Sequence, residues 1–472
     1  MYNNYTPLQQ RQLALQEYSN TQSTYLLVCA PARSTALKAT LTDQLHRKFR
    51  LVDRLGGELT ASVDGVLLAA EDVELMSTAL MYFAKALQDG ADYAVCNAVF
   101  GFGGATALYQ SQPLQAQNRC AVVSRTLLER CRAAAHDPEN VPELLALAAQ
   151  LCTKPTLIPQ ALLHYERGIC AEDAFSAHGK RAFIMSHVLD MTGAPIVLVS
   201  AVPVLRSMGY EVLALGPSDG GSLHLFLDAG ASVITRSSCR NVSDAWGMAL
   251  CADFVIANTV VMARAVRALS GTAVPVLWWL HDAFAGYPHI AHQIPTQLGE
   301  NVRVYSVGSH AANAMHAVRP EFEIRPLIYG LPDYAAENFV RTDLGYNRGR
   351  PLFATVGSFE RRKGHDIFCK AIRLLPPEVR EKASFLFVGQ AADKEMMDSV
   401  RALTADYPEN VYYCKRLTRD EIKSLMEQCT GLVCASRDDP MPTFVTEGLI
   451  FGKPSIVSEH TGTAGLVTEG VD

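Results

Sequence analysis

Residues 436–456, "SRDDPMPTFVTEGLIFGKPSI", decide how this chain is read. The apolar run "GLVCAS" that leads into them has the character of a strand, which places Asp439 in the loop at the strand's carboxyl end. Pro440 and Pro442 stiffen that loop. Proline is tolerated in the first turn of a helix, where its missing N–H would have no partner anyway. A helix is expected from about Thr443 to Phe451, with Gly452 as its stop and Pro454 beyond it. The N–H groups of Thr443 and Phe444, together with the helix dipole, make an anion site suited to a diphosphate. Glu447 lies about one turn further in, where its carboxylate can accept hydrogen bonds from a sugar diol. Two acids at this spacing also arise by chance, and capping is the plainer account of Asp439 taken alone.

Three further stretches carry chemistry. In "VGSFERRKGHDIF" a strand ends at Gly357, and Lys363-Gly364 precedes the next helix. A lysine at the mouth of a parallel sheet can neutralise a phosphate as a point charge, and Arg361 or Arg362 can add a fork of donors. A solvated basic cluster is the bland alternative, but basic charge at a helix start opposes the dipole, which favours an anion. In "MTGAPIVLVS", Thr192-Gly193-Ala194-Pro195 reads as a tight strand-to-helix turn whose backbone can approach a ligand. In "VLWWLHDAF", His281 and Asp282 follow a strand end, although a lone histidine is more often structural.

From about residue 180 short apolar strands alternate with helices. The strands include "AFIMSHVL", "YEVLALGP", "SVITR", "DFVIANT", "VPVLWWLHD" and "VRVYSVGS". A second cycle runs through "LFATVGSFE", "SFLFVGQ", "VYYCKRL", "GLVCAS" and "PSIVSE". Such alternation argues for parallel sheets covered on both faces, with ligands outside the carboxyl ends of the strands. The polar, Gly- and Pro-rich "YGLPDYAAENFVRTDLGYNRGRP" reads as the linker between cycles. At 472 residues the chain exceeds one ordinary core, and three α/β domains are expected: 1–168, 169–342 and 343–472. In the first, "EDVELMSTALMYFAKALQDGAD" reads as one long helix.

A net charge of -6 gives no reason to expect nucleic acid. Twelve scattered cysteines without a C-x-x-C pair suggest reduced thiols. No apolar stretch approaches the ~20 residues of a membrane span, and no targeting peptide is evident. A cytoplasmic protein is expected, at most peripheral to the inner face of the plasma membrane.

The four motifs in this order resemble the retaining GT-B glycosyltransferases of family four, over about residues 180–472. That family has an acid-x7-acid motif before a helix, a "K-G" after the first strand of its carboxyl-terminal domain, and a glycine turn after its first amino-terminal strand. The resemblance implies two doubly wound Rossmann-like domains and a nucleotide-sugar donor. By it, Glu447 binds the ribose hydroxyls and Asp439 a hydroxyl of the transferred sugar. Lys363, Arg362 and the N–H groups of Thr443 and Phe444 meet the diphosphate. His281 contacts the sugar near the reacting centre, and Gly193 lets its loop close on the phosphate. The implied catalytic residues are therefore His281, Asp439 and Lys363, with no metal and no other cofactor. The implied acceptor is a glycan or glycolipid, as in bacterial surface polysaccharide synthesis.

The chain departs from the family in having Asp439 where glutamate is usual, Ser358 where arginine often stands, and Pro-Met-Pro for Gly-Phe-Gly. Ser358 and Asp439 support an alternative, a non-catalytic pseudo-glycosyltransferase that binds a nucleotide or partner, against which the retained Lys363, Glu447 and His281 argue. In residues 1–168, "DGVLLAAEDVELMSTALMYFAKALQDGADYAV" and "LIPQALLHYERG" resemble family-two GT-A glycosyltransferases. The first aspartate of their Asp-x-Asp metal motif is replaced by Ala69, leaving Glu71 and Asp72. The resemblance implies a degenerate accessory domain that serves acceptor binding, oligomerisation or docking. A helix from about Pro7 to Tyr18 is a further expectation.

Overall fold

The computed structural model describes residues 21, 23–56, 62–71, 73–100, 106–110, 119–165, 179–218, 220–237, 239–240, 244–468 and 470. The expected Pro7–Tyr18 helix and Asp72 lie outside the described residues. The chain forms two compact units, Met1–Met191 with Ala201–Val255, and Thr192–Ser200 with Ile256–Asp472. Among the described residues no helix is long and apolar enough to cross a membrane. The eleven described cysteines form no disulfide.

The first unit is built on strands β1 (Leu26–Cys29), β2 (Phe49–Val52), β3 (Gly65–Ala69), β4 (Glu74–Leu75), β5 (Tyr93–Phe100), β6 (Thr106–Gln110), β7 (Cys120–Ser124), β8 (Pro155–Tyr165), β9 (Lys180–Met185), β10 (Tyr210–Gly216) and β11 (Ser232–Arg236). Their order is β2-β1-β3-β7-β5-β6-β11-β10-β9, with β8 on β5 and β4 on β8. β9, β10 and β11 run parallel, as their uninterrupted apolar character requires. β6 joins β11 antiparallel, so the strands before residue 168 continue into the strands after it as one sheet. The long helix expected here is shorter. Glu74–Leu75 pairs antiparallel with His164 and Leu163, and only Ala79–Gln88 is helical. The Glu74 carboxylate meets His164 Nδ1 at 2.6 Å, a tertiary contact that overrides the local helical pattern.

In the second unit, residues 256–258 of β12 (Phe254–Asn258), β13 (Val276–Leu280), β14 (Val302–Ser306) and β15 (Ile324–Pro326) lie side by side. A second sheet has the order β18-β17-β16-β19-β20, formed by β16 (Leu352–Val356), β17 (Ser384–Val388), β18 (Val411–Cys414), β19 (Gly431–Cys434) and β20 (Ser455–Val457). All four of its strand pairings are parallel. Side chains alternate between its faces. Phe385, Phe387 and Val433 enter one core with the His365–Leu374 and Lys394–Asp406 helices. Leu386, Val388, Leu432 and Cys434 enter the other with Leu425, Phe444 and Val445. The expected linker is pinned rather than loose: Arg341 grips Glu427 at 2.9 Å, and Thr342 and Leu344 bond Ser424 and Gln428 along one helix.

Candidate functional site

β16 and β19 are parallel neighbours, so the loops at their carboxyl ends emerge side by side. After β16 come Ser358, whose hydroxyl bonds Glu360, and a turn at Arg361–Lys363. Gly364 follows at φ 69° and opens the His365–Leu374 helix. After β19 come Ser436, Arg437, Asp438 and Asp439. Arg437 stitches the loops together. Its N–H donates to the Arg362 carbonyl at 2.7 Å, and its guanidinium forks onto both Asp366 oxygens at 2.8 Å. That fork holds the Asp366 carboxyl below the usual carboxylate range.

Gly364 makes this approach possible, because a β-carbon there would lie 1.9 Å from the Ala435 carbonyl oxygen. Gly364→Ala would meet this backbone clash and left-handed strain of about 1–2 kcal/mol together. It is expected to part the loops and lower the urea midpoint. An unchanged midpoint would show that the approach is dispensable.

The stitched loops bring Lys363 Nζ to 2.5 Å from Asp439 Oδ2, with side chains 18% and 4% exposed. The Asp439 backbone is fixed as well, donating to the His460 carbonyl and accepting from Gly462. Beyond Pro440-Met441-Pro442 the helix Thr443–Ile450 begins, with no side-chain cap on Pro442. Gly193 presses on its start: a β-carbon at Gly193 would lie 3.2 Å from Thr443 Cγ2. Gly193, which opens the Gly193–Ser207 helix instead of lying in the expected turn, thus shares one neighbourhood with the helix start at Thr443 and Phe444 and the lysine–aspartate pair. One turn in, the buried Glu447 accepts from Arg419 Nη1 at 2.9 Å. The Arg419 guanidinium lies over the Tyr334 ring at 5.1 Å. Arg362 Nε is held by Glu360 at 2.7 Å.

His281 follows β13 and packs edge-on against Trp279, with ring centroids 4.6 Å apart. It also lies against Tyr329, whose hydroxyl donates to the Met441 carbonyl at 3.2 Å and so reaches the acid loop. Asp282 accepts from Val260 N–H at 2.6 Å and fixes the turn that contains Thr259, a non-glycine residue at φ 74°. Such conformations cost of order 1–3 kcal/mol and persist only where the surroundings over-determine them. Burial pushes the Asp282 carboxyl from its ordinary value up to about 6.

The fold therefore favours protonated Asp282. Its contribution is full below the unfolded value near 4 and is lost as pH rises through 6. The stability difference between the wild type and Asp282→Asn is expected to shift against the wild type between those limits. Urea denaturation across pH 4–7 reads this, and a flat difference would refute it.

Three participants escaped the sequence. Asp438 accepts from Phe284 N–H at 3.2 Å, Ala285 N–H at 2.8 Å and His310 Nε2 at 2.8 Å. His310 and Arg419 are the other two. Only the doubling of the acid in "RDDP" hinted at any of them.

Residues 178–321 match the family profile described as Glycosyl-transferase family 4, and residues 337–472 that of Glycosyl transferases group 1. No curated protein sequence matches the chain. Solved structures that resemble it include Anabaena Alr3699/HepE in complex with UDP-glucose, at 15% identity and TM-score 0.50, covering 62% of this chain and 84% of that one. The same Anabaena protein with UDP and glucose gives 16% identity and TM-score 0.49 over the same shares. Sucrose-phosphate synthase from Thermosynechococcus elongatus gives 15% identity and TM-score 0.46 over 61% and 84%.

Proposed function

Because the chain carries two glycosyltransferase domains in the GT-B fold class, we propose that it transfers a sugar from a nucleotide-sugar onto a glycan or glycolipid, with retention at the anomeric carbon and without a divalent metal. The observation that carries this reading is the Lys363–Asp439 pair beside the start of the Thr443–Ile450 helix, with Glu447 one turn inside it.

In this reading the donor diphosphate lies against the N–H groups of Thr443 and Phe444, with Gly193 leaving room at the helix start. Lys363 moves its charge between the Asp439 carboxylate and the leaving phosphate, and Arg362 adds a donor once Glu360 releases it. Glu447 takes the ribose hydroxyls in place of part of its bond to Arg419. Asp439 takes a hydroxyl of the sugar, and His281 contacts the sugar at the reacting carbon. The bond from that carbon to the phosphate oxygen breaks, and its electron pair stays on the phosphate. The acceptor hydroxyl adds on the same face and passes its proton to the departing phosphate. Cationic and N–H donors aimed at the developing charge supply the stabilisation that a metal would otherwise give. Residues 1–168 serve as an accessory region, and surface polysaccharide synthesis is the setting this acceptor class suits.

The test is a thermal-shift titration of the full chain with UDP, GDP, ADP and CMP, with and without magnesium. At 100 times Kd a ligand stabilises by about 2.7 kcal/mol, a visible shift. A magnesium-independent response to one nucleotide is expected, UDP being the first choice because HepE was solved with UDP-glucose. Turnover of the matching nucleotide-sugar follows, with the product anomer read by NMR. No response to any nucleotide would sink the proposal. Binding without turnover would favour the pseudo-enzyme, for which Ser358 and the pre-formed Arg419–Glu447 pair speak.

A further inference from the structure

Asp438 has no part in the donor contacts above, yet its carboxylate gathers three donors. Phe284 and Ala285 lie three and four residues after His281, and their N–H groups reach it at 3.2 and 2.8 Å. His310 stands in the first turn of the Ser309–His316 helix after β14 and offers Nε2 at 2.8 Å. Phe284 also packs edge-on against His310, with ring centroids 5.3 Å apart. This bond requires the hydrogen of His310 on Nε2. Bonds from N–H donors to a carboxylate are charge-assisted and about twice as strong as neutral ones.

The neighbouring residue faces elsewhere, since Asp439 meets Lys363. One loop therefore grips two places through adjacent acids: the segments that follow β13 and β14 through Asp438, and the turn that follows β16 through Asp439. Four residues on from Asp438, Pro442 leads into the helix that meets Gly193 through Thr443.

We infer that Asp438 is a positioning residue, which ties the loop carrying Asp439 to the backbone following His281 so that the lysine–aspartate pair and His281 converge on one reacting carbon. Its role in turnover rests on the glycosyltransferase reading; the tie itself does not. A misplacement of about 1 Å between reacting groups can cost 10²-fold in rate. Loss of the tie should therefore lower kcat and leave nucleotide affinity nearly intact, because Lys363, Glu447 and the helix start are untouched.

The experiment compares wild type, Asp438→Asn, His310→Ala and His310→Gln, all as the full chain. Hydrogen exchange at the Phe284 and Ala285 amides reads the tie. Thermal shift with UDP, GDP and ADP reads nucleotide binding, and nucleotide release from UDP-glucose, GDP-mannose and ADP-glucose reads turnover. Asp438→Asn is expected to speed exchange of both amides at least tenfold and to lower kcat about 100-fold. Its nucleotide Kd should stay within about threefold of the wild type. His310→Ala should lower kcat in the same direction. His310→Gln, whose amide can still donate, should recover most of the loss, which a merely structural role would not predict. Equal amide exchange in wild type and Asp438→Asn, or wild-type kcat in that variant, overturns the inference. A wild type that takes no nucleotide and turns over no donor overturns the proposed function and the turnover role together, while the exchange result still decides the tie.

Discussion

Lys363→Ala is expected to lower kcat by about 10³-fold or more, and to destabilise the protein at the same time. The catalytic part follows from the leaving group. Removing one preorganised donor from a developing oxyanion costs about 10²–10³ in rate, and Lys363 contributes a full charge. The stability part follows from the partner left behind. Asp439 is 4% exposed, and its remaining side-chain neighbour, Ser436 Oγ, stands at 3.4 Å, too long to replace a 2.5 Å ion pair. Removing one member of a buried pair costs about 3–5 kcal/mol, because the other stays buried and uncompensated. The two effects separate in Lys363→Met combined with Asp439→Asn. The double variant should regain most of the denaturation midpoint and none of the turnover. Donor turnover near the wild-type rate in that variant would remove Lys363 from the reaction.

The strands of the second unit were legible because each is a short apolar run between turn residues, a pattern that parallel strands covered on both faces require. The acid loop was legible for a related reason. Its prolines, Gly452 and the spacing of Asp439 from Glu447 are local, and local signals survive in a sequence. Pairings at long range leave no such trace. His310 and Asp438 are 128 positions apart, and Arg419 and Glu447 are 28 apart. Neither distance has a period to betray it. Glu74–Leu75 shows the opposite failure: a helical pattern was present, and pairing with the β8 strand overruled it. Ser358, read as a missing arginine, instead bonds Glu360, which in turn holds Arg362. The sequence showed the substitution but not where the remaining charge had been placed.

Glu447→Ala should separate ribose recognition from phosphate recognition. The carboxylate is 8% exposed and accepts from Arg419, which is 40% exposed and backed by Tyr334. Without Glu447 that guanidinium keeps its solvent and its ring, so the loss of stability should be smaller than for Lys363→Ala. Hydrogen bonds to a charged group contribute about 1.5–3 kcal/mol. Loss of the ribose contact should therefore weaken the responding nucleoside diphosphate by roughly 10- to 150-fold. The same argument fixes the control. A 2′,3′-dideoxy nucleoside diphosphate keeps the phosphates and lacks both hydroxyls, so the wild type should discriminate against it by a similar factor. Glu447→Ala should bind the two alike. Arg419→Ala guards against an indirect cause, since a loss that arose from disturbing Arg419 would appear in that variant too. Calorimetric titration of the three proteins with both ligands reads every arm. If Glu447→Ala still preferred the ribose form by the full wild-type factor, the carboxylate would have no part in holding the donor, and the site would have to be rebuilt around Lys363 and the helix start alone.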